Sequence, residues 1–259
     1  MKRCSFEELY KTGRYLELNP TVHEEDATWK FDKIKPFLDR YCNINEKREL
    51  KLLDIGGGTG SVSLYCQNYM YKKYGKKIIK IAIDLSLEML KLQKQKKSEK
   101  DSFINANAKN LPIKNKSIDL TFLIDVLEHL NPRDLDFILS RLAHYLKING
   151  KLIIVVPSIN IPLDRKHYQH FSRKTLEKLL KKYFKTINIL GHQRISKIHN
   201  FFFSVLNFVS LLFYADTFRY KYPKFIHKFC NFKKHYWIKN LHICDPEIAR
   251  RLLAVCVKE

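Results

Sequence analysis

The stretch that most constrains this chain is a short apolar run, Leu52-Leu53-Asp54-Ile55, followed at once by Gly56-Gly57-Gly58-Thr59-Gly60 and a helix-compatible segment over Ser61–Tyr74. Strand, glycine loop and helix in this order build a ligand crevice at the carboxyl edge of an open α/β sheet. Glycine there permits left-handed turns and a close approach of backbone to ligand. Two ligand classes fit poorly. The dinucleotide pattern G-x-G-x-x-G/A, read from Gly56, places Ser61 at its third glycine. A P-loop needs Gly-Lys-Ser/Thr after the glycines, and that is missing. The loop reads D-x-G-x-G-x-G, through Asp54, Gly56, Gly58 and Gly60. An acid at the loop mouth repels a pyrophosphate and suits a ligand carrying an ammonium and a sulfonium.

Three further segments follow in order. A second apolar run over residues 78–83 ends in Asp84 and Leu85. An acid at that point accepts hydrogen bonds from ribose hydroxyls, or else caps the helix that starts near Ser86. Next stands Asn105-Ala106-Asn107-Ala108, and then Phe122-Leu123-Ile124-Asp125-Val126-Leu127-Glu128-His129. Together with the glycine loop these motifs resemble the class I S-adenosyl-L-methionine (SAM) methyltransferases of small-molecule type, including those of quinone biosynthesis. The match runs from about residue 51 to 191, with the last strand again near the C-terminus. The resemblance implies a mostly parallel seven-stranded sheet with helices on both faces and the last strand antiparallel. It implies SAM as cofactor, held by Asp54, Gly56, Gly58, Gly60, Asp84, Leu85, Asn107, Ala108 and Asp125. At the adenine-reading position the family usually carries aspartate. Asn107 offers an amide oxygen without charge assistance.

Alternating patterns predict strands near 51–55, 78–83, 102–106, 118–124, 151–156, 184–190 and 252–257, the fifth preceded by a helix end at Asn149-Gly150. The organisation expected is an N-terminal helical arm or lid over 1–45, a SAM-binding core over 46–193, a helical insertion over 194–250 and a closing strand over 251–259. Ser5 and Glu8 suit a capping box. Residues 18–30, containing His23 and Trp29, resemble an N-terminal signature of bacterial methyltransferases found with surface-glycan enzymes, and these two side chains are candidates to line the lid. The insertion is unusual. Residues 198–214 are almost wholly apolar, with a thin stripe of Asn200, Ser204, Asn207 and Ser210 or Leu211. Between 215 and 240, Arg219, Lys221, Lys224, Lys228, Lys233, Lys234 and Lys239 face only Asp216, with aromatics interleaved. The apolar run is shorter than the ~20 residues that cross a bilayer. Its readings are an anionic membrane surface or lipid-substrate cap, a plain cap or homodimer surface, and single-stranded nucleic acid.

The formal net charge of +22 over 259 residues attracts polyanions, whether nucleic acid or membrane, or reflects lysines on solvated helices. Six scattered cysteines contain no C-x-x-C pair, which argues against a zinc site and suits a reducing compartment. The first eight residues lack a signal-peptide core. A cytoplasmic location, peripheral at the inner membrane face, is expected.

Methyl transfer to oxygen or carbon benefits from a base, and histidine has the right ordinary pKa. His129 follows the fourth strand. His167 and His170 follow the fifth, in a run that resembles the family's D-H-x-x-x-F-S/T stretch beside the acceptor pocket. Their H-x-x-H spacing suits a metal, but no third and fourth ligands are evident, so none is expected. The leading function is methyl transfer to a small-molecule, lipid-linked or glycan acceptor, at oxygen or carbon. The alternatives are an RNA methyltransferase and a non-catalytic SAM-binding subunit.

Overall fold

The structure is a computed structural model that describes residues 22–44, 48–95, 98–164, 166–194 and 243–259, and the single positions Phe201, Val205 and Lys228. The Ser5–Glu8 capping pair, the His23 side chain and, apart from those three positions, the apolar and basic insertion lie outside the described residues. The elements are α1 (Val22–Ile44), β1 (Glu49–Ile55), α2 (Ser61–Tyr74), β2 (Lys77–Asp84), α3 (Leu87–Gln95), β3 (Ser102–Asn105), β4 (Ile118–Ile124), α4 (Leu135–Tyr145), β5 (Leu146–Pro157), α5 (Arg173–Leu180), β6 (Thr186–Arg194), β7 (Ile243–Cys244) and β8 (Ala249–Val257).

They form one sheet in the order β3-β2-β1-β4-β5-β8-β6-β7. Strands β1 to β5 pair in parallel, and β8 enters antiparallel between β5 and β6. Every residue of β4 except the last is buried, as expected for a parallel strand covered on both faces. The sheet has eight strands where seven were expected. The additional strand, β7, is a two-residue edge that pairs Gly191 with Cys244 and His192 with Ile243. β5 also starts earlier than the apolar run at 151. Asn149 takes a left-handed φ of 63°, and the pairing with β4 shifts register between Leu146 and Lys151. The Asn-Gly pair read as a helix end is therefore a kink within a strand.

Two cores flank the sheet. On one face Ile138, Leu139 and Leu142 of α4 and Leu176 and Leu180 of α5 pack on Ile154, Leu252 and Ala254. On the other, Phe31, Ile34, Phe37 and Leu38 of α1 join Cys66 and Met70 of α2 over Leu52, Phe122 and Val255. Each large apolar side chain so buried contributes roughly 1.5–3 kcal/mol, so α1 is a packed layer of this face. Asp39 fastens it, accepting hydrogen bonds from the Tyr69 and Tyr74 hydroxyls, each at 2.7 Å, and from Lys73 at 3.0 Å.

This topology decides where the ligand crevice lies. From β1 the chain steps outward through β2 to β3, then returns to place β4 on the other side of β1. The carboxyl ends of β1 and β4 are thus the switch point at which open α/β sheets bind ligands. Loops following both strands carry the residues singled out from sequence.

Candidate active site

The loop after β1 turns through three left-handed glycines, Gly56 at φ 62°, Gly58 at 56° and Gly60 at 70°. Its space is as restrictive as its backbone. A Cβ on Gly56 would meet Val126 Cγ2 at 2.7 Å, and one on Gly60 would meet Gln93 Oε1 at 2.6 Å. Gly60 also begins α2, and Gly56 N–H donates to the Ile83 carbonyl at 2.7 Å, tying the loop to β2. Asp54 lies against this loop at Gly57. It is buried, and a Cβ on Gly57 would collide with its carboxylate. Burial raises the Asp54 pKa, against a hydrogen bond from Ser63 and the charge of Lys80, which lower it. Its visible role is to brace the loop.

Asp84 stands beside the loop because β1 and β2 run in register up to Ile55 and Ile83. Gly58 N–H donates to Asp84 Oδ2 at 3.1 Å and Ser86 N–H to Oδ1 at 2.9 Å. Leu85 is half-buried next to it. Asn105 donates to the backbone carbonyls of Asp84 and Leu85, both at 2.9 Å, holding β2 and β3 ends together. Asn107 is exposed and its amide oxygen accepts from Lys109 N–H at 3.0 Å, with Ala108 half-buried between them. The sequence reading missed Gln93. From α3 it donates to the Gly58 carbonyl at 2.8 Å and its side chain packs against Gly60.

Asp125 carries an ion-pair cluster. It follows β4 with a left-handed φ of 53° and pairs with two cations, Lys30 from α1 and Arg251 from β8. Burial raises its pKa, but Arg251 and Lys30 together outweigh that and hold the carboxyl below its ordinary range. Trp29 is buried and stacks on His192 of β6 at 4.3 Å, with Lys30 Nζ and the Arg251 guanidinium each 5.8 Å from its ring. Trp29 thus seals the junction of α1 with the sheet. Lys30 and Arg251 were not among the expected site residues. Lys30 does fall in the 18–30 segment that drew attention, and paired arginines at the mouth of an apolar strand were a signal available for Arg251.

The three candidate histidines converge. The His129 and His167 rings meet edge to face at 4.6 Å, and His167 Nδ1 lies 2.8 Å from His170 Nε2. The segment after β5 is clasped to the end of β4, since Tyr168 N–H donates to the Glu128 carbonyl at 2.9 Å. Burial lowers the pKa of all three, that of His167 to about 4 with the His129 charge as second cause. Glu128, buried in the same cluster, is pushed up first by burial and then by the Asp125 charge. A ligand set different from the H-x-x-H pair comes together in space, with His167 in it and His170 outside it. Glu128, His129 and His167 each bring one donor atom within 4.8 Å of the others.

Residues 53–154 match the family profile described as "Methyltransferase domain". A curated relative, the ubiquinone/menaquinone biosynthesis C-methyltransferase UbiE of Campylobacter jejuni, is 30% identical over 131 residues, which is 50% of this chain and 52% of that protein. The chain thus spans about half the length of the curated relatives it matches. Among solved structures, a SAM-dependent methyltransferase of Thermotoga maritima, a possible histamine N-methyltransferase, aligns over 98% of both chains with TM-score 0.60 and 15% identity. A phosphoethanolamine N-methyltransferase of Haemonchus contortus, in complex with phosphomonomethylethanolamine and S-adenosylhomocysteine, aligns over 88% of this chain and 52% of its own with TM-score 0.55 and 18% identity. At these identities the structures establish a shared fold.

The Asp125 pairs make stability depend on pH with a definite sign. A depressed folded-state pKa stabilises above the unfolded value and loses that contribution as pH falls. Asp125→Asn should therefore cost roughly 2 kcal/mol at neutral pH. The gap from wild type should narrow as pH falls from about 5 to about 3. Urea unfolding midpoints across that range measure it, and a gap that does not change with pH contradicts the assignment.

Proposed function

We propose that this chain, whose residues 53–154 match a methyltransferase domain, transfers a methyl group from SAM to an oxygen or carbon of a small-molecule, lipid-linked or glycan acceptor. The observation that carries the reading is the pairing of Asp84 with the left-handed glycine loop at the sheet's switch point. The Gly58 and Ser86 N–H groups fix the Asp84 carboxylate in place. A carboxylate oxygen accepts more than one hydrogen bond, which suits it to ribose hydroxyls. The glycine positions that leave no room for a Cβ are a cradle for a ligand lying against backbone. By the resemblance, Asn107 occupies the adenine-reading position, and Leu85 and Ala108 are further cofactor contacts. Bound SAM supplies an electrophilic sulfonium methyl.

The chain's own contribution is then to align the acceptor and remove its proton. Holding reactants in line is worth several kcal/mol of barrier. His129, His167 and His170 supply imidazoles after β4 and β5, on the carboxyl side of the sheet, and burial keeps them neutral and able to accept a proton. His167 sits between the other two and is the first candidate to orient or deprotonate the acceptor.

A lipid-linked acceptor draws support from the insertion. Phe201 and Val205, both helical and one turn apart, are 73% and 42% exposed, so apolar side chains face outward there. Lys228 is exposed as well. Among the described residues no helix is long and apolar enough to cross a membrane, so contact with anionic lipid would be peripheral.

Calorimetry tests the cofactor. The chain should bind SAM and its demethylated product in preference to NAD, and Asp84→Ala should weaken SAM binding about 10- to 100-fold, the loss of hydrogen bonds to a charged acceptor. Unchanged affinity in that variant would remove Asp84 from the cofactor site.

Turnover, followed as S-adenosylhomocysteine released on the true acceptor, tests the histidine. His167→Ala should lower it about 100-fold or more while SAM affinity stays the same. Full activity would return His167 to a packing role.

A further inference from the structure

We propose that Glu128, His129 and His167 bind a divalent first-row transition-metal ion, with His170 as the outer partner that orients His167. The three inner residues already bring one donor atom each to within 4.8 Å of one another. Metal bonds of about 2.1 Å at a tetrahedral centre place donors about 3.4 Å apart, so small side-chain rotations complete the site.

The hydrogen bonds around the rings set their tautomers toward ligation. His129 Nδ1 lies 3.1 Å from the Lys166 carbonyl. A carbonyl only accepts, so Nδ1 carries the hydrogen and Nε2 the lone pair. His170 Nδ1 lies 3.2 Å from the Ile161 carbonyl and is protonated for the same reason. Its Nε2 must then accept the hydrogen of His167 Nδ1, 2.8 Å away. That leaves the lone pair of His167 on Nε2. Two imidazoles, each donating its far N–H to a fixed acceptor, are the arrangement that orients histidine ligands and raises their basicity.

Glu128 supplies the independent observation. It is 1% exposed, and its Oε2 has no hydrogen-bond partner. A buried carboxylate oxygen left unpartnered costs about 1–3 kcal/mol or more, and a cation removes that cost. The Tyr168 N–H bond to the Glu128 backbone holds the carboxylate-bearing turn against the histidine-bearing segment. Lys30 and Arg251 stand nearby, but both are paired with Asp125, which offsets their repulsion of a dication. Two imidazole nitrogens and one carboxylate oxygen suit zinc, iron or cobalt better than magnesium, and three protein ligands leave open positions. A metal there would occupy the His167 Nε2 lone pair, so His167 would then orient the acceptor as a ligand and not take its proton, and the metal would lower the pKa of a coordinated acceptor hydroxyl. That use rests on the methyl-transfer reading, whereas metal binding itself does not.

The test uses the full chain purified without a histidine tag, stripped with chelator and titrated with Zn(II) by calorimetry and with Co(II) by its visible absorption. One equivalent should bind, and Co(II) should show the spectrum of a low-coordinate nitrogen–oxygen site. Glu128→Gln and His167→Ala should lose more than the ~10- to 100-fold expected for an outer partner, and His170→Ala should fall within that range. Circular dichroism checks that each variant is folded. If a variant does not fold, the wild-type titration decides alone. No uptake by wild type at micromolar metal overturns the site, as does unchanged affinity in folded Glu128→Gln and His167→Ala. SAM binding measured on the same samples separates the two readings. SAM binding without metal uptake overturns only the metal site, and metal uptake without SAM binding overturns only the methyl-transfer reading.

Discussion

The rest of the site depends on one steric constraint, the absence of side chains at the turn from β1 into α2. Three residues there hold φ between 56° and 70°, a region that costs an L side chain about 1–2 kcal/mol each. Beyond that, a Cβ at Gly56, Gly57 or Gly60 would overlap Val126, Asp54 or Gln93. With glycines in place the loop packs against the ends of both β2 and β4. The in-register pairing of β1 with β2 then brings Asp84 to Gly58, and the pairing of β1 with β4 brings the Asp125 to His129 segment alongside. A bulkier loop would separate these strand ends and take apart the crevice that the parallel topology creates.

The parts legible in sequence were those encoded locally. The D-x-G-x-G-x-G loop, Asp84 at the end of its strand, and the buried run before Asp125 each sit within a short window whose pattern has one natural structural reading. The strand β7 was not legible, because two residues carry no periodicity. Asn149-Gly150 reads equally well as a helix end or a strand kink, and the pairing of Lys258 N–H with the Gly150 carbonyl, a contact across the sheet, decided for the kink.

Long-range pairs were beyond reach for a related reason. Lys30 and Asp125 are 95 positions apart, and Arg251 and Asp125 are 126 apart. Nothing in the local pattern around either cation shows that both meet one carboxylate. The same holds for Glu128, which sequence shows as one letter of a motif. Its burial, its unpartnered oxygen and its neighbour His167 emerge only when the segment after β5 folds back onto the end of β4. The charge cluster and the histidine cluster therefore join α1, β4, the segment after β5, and β8 into one wall on the carboxyl side of the sheet.

A crystal structure of the chain grown with S-adenosylhomocysteine tests the central claim most directly. The account predicts the nucleoside lying along the Gly56 to Gly60 loop, with both ribose hydroxyls donating to the Asp84 carboxylate and the homocysteine sulfur directed toward the His129, His167 and His170 cluster. A ligand bound away from the glycine loop, or a ribose that makes no contact with Asp84, would contradict it.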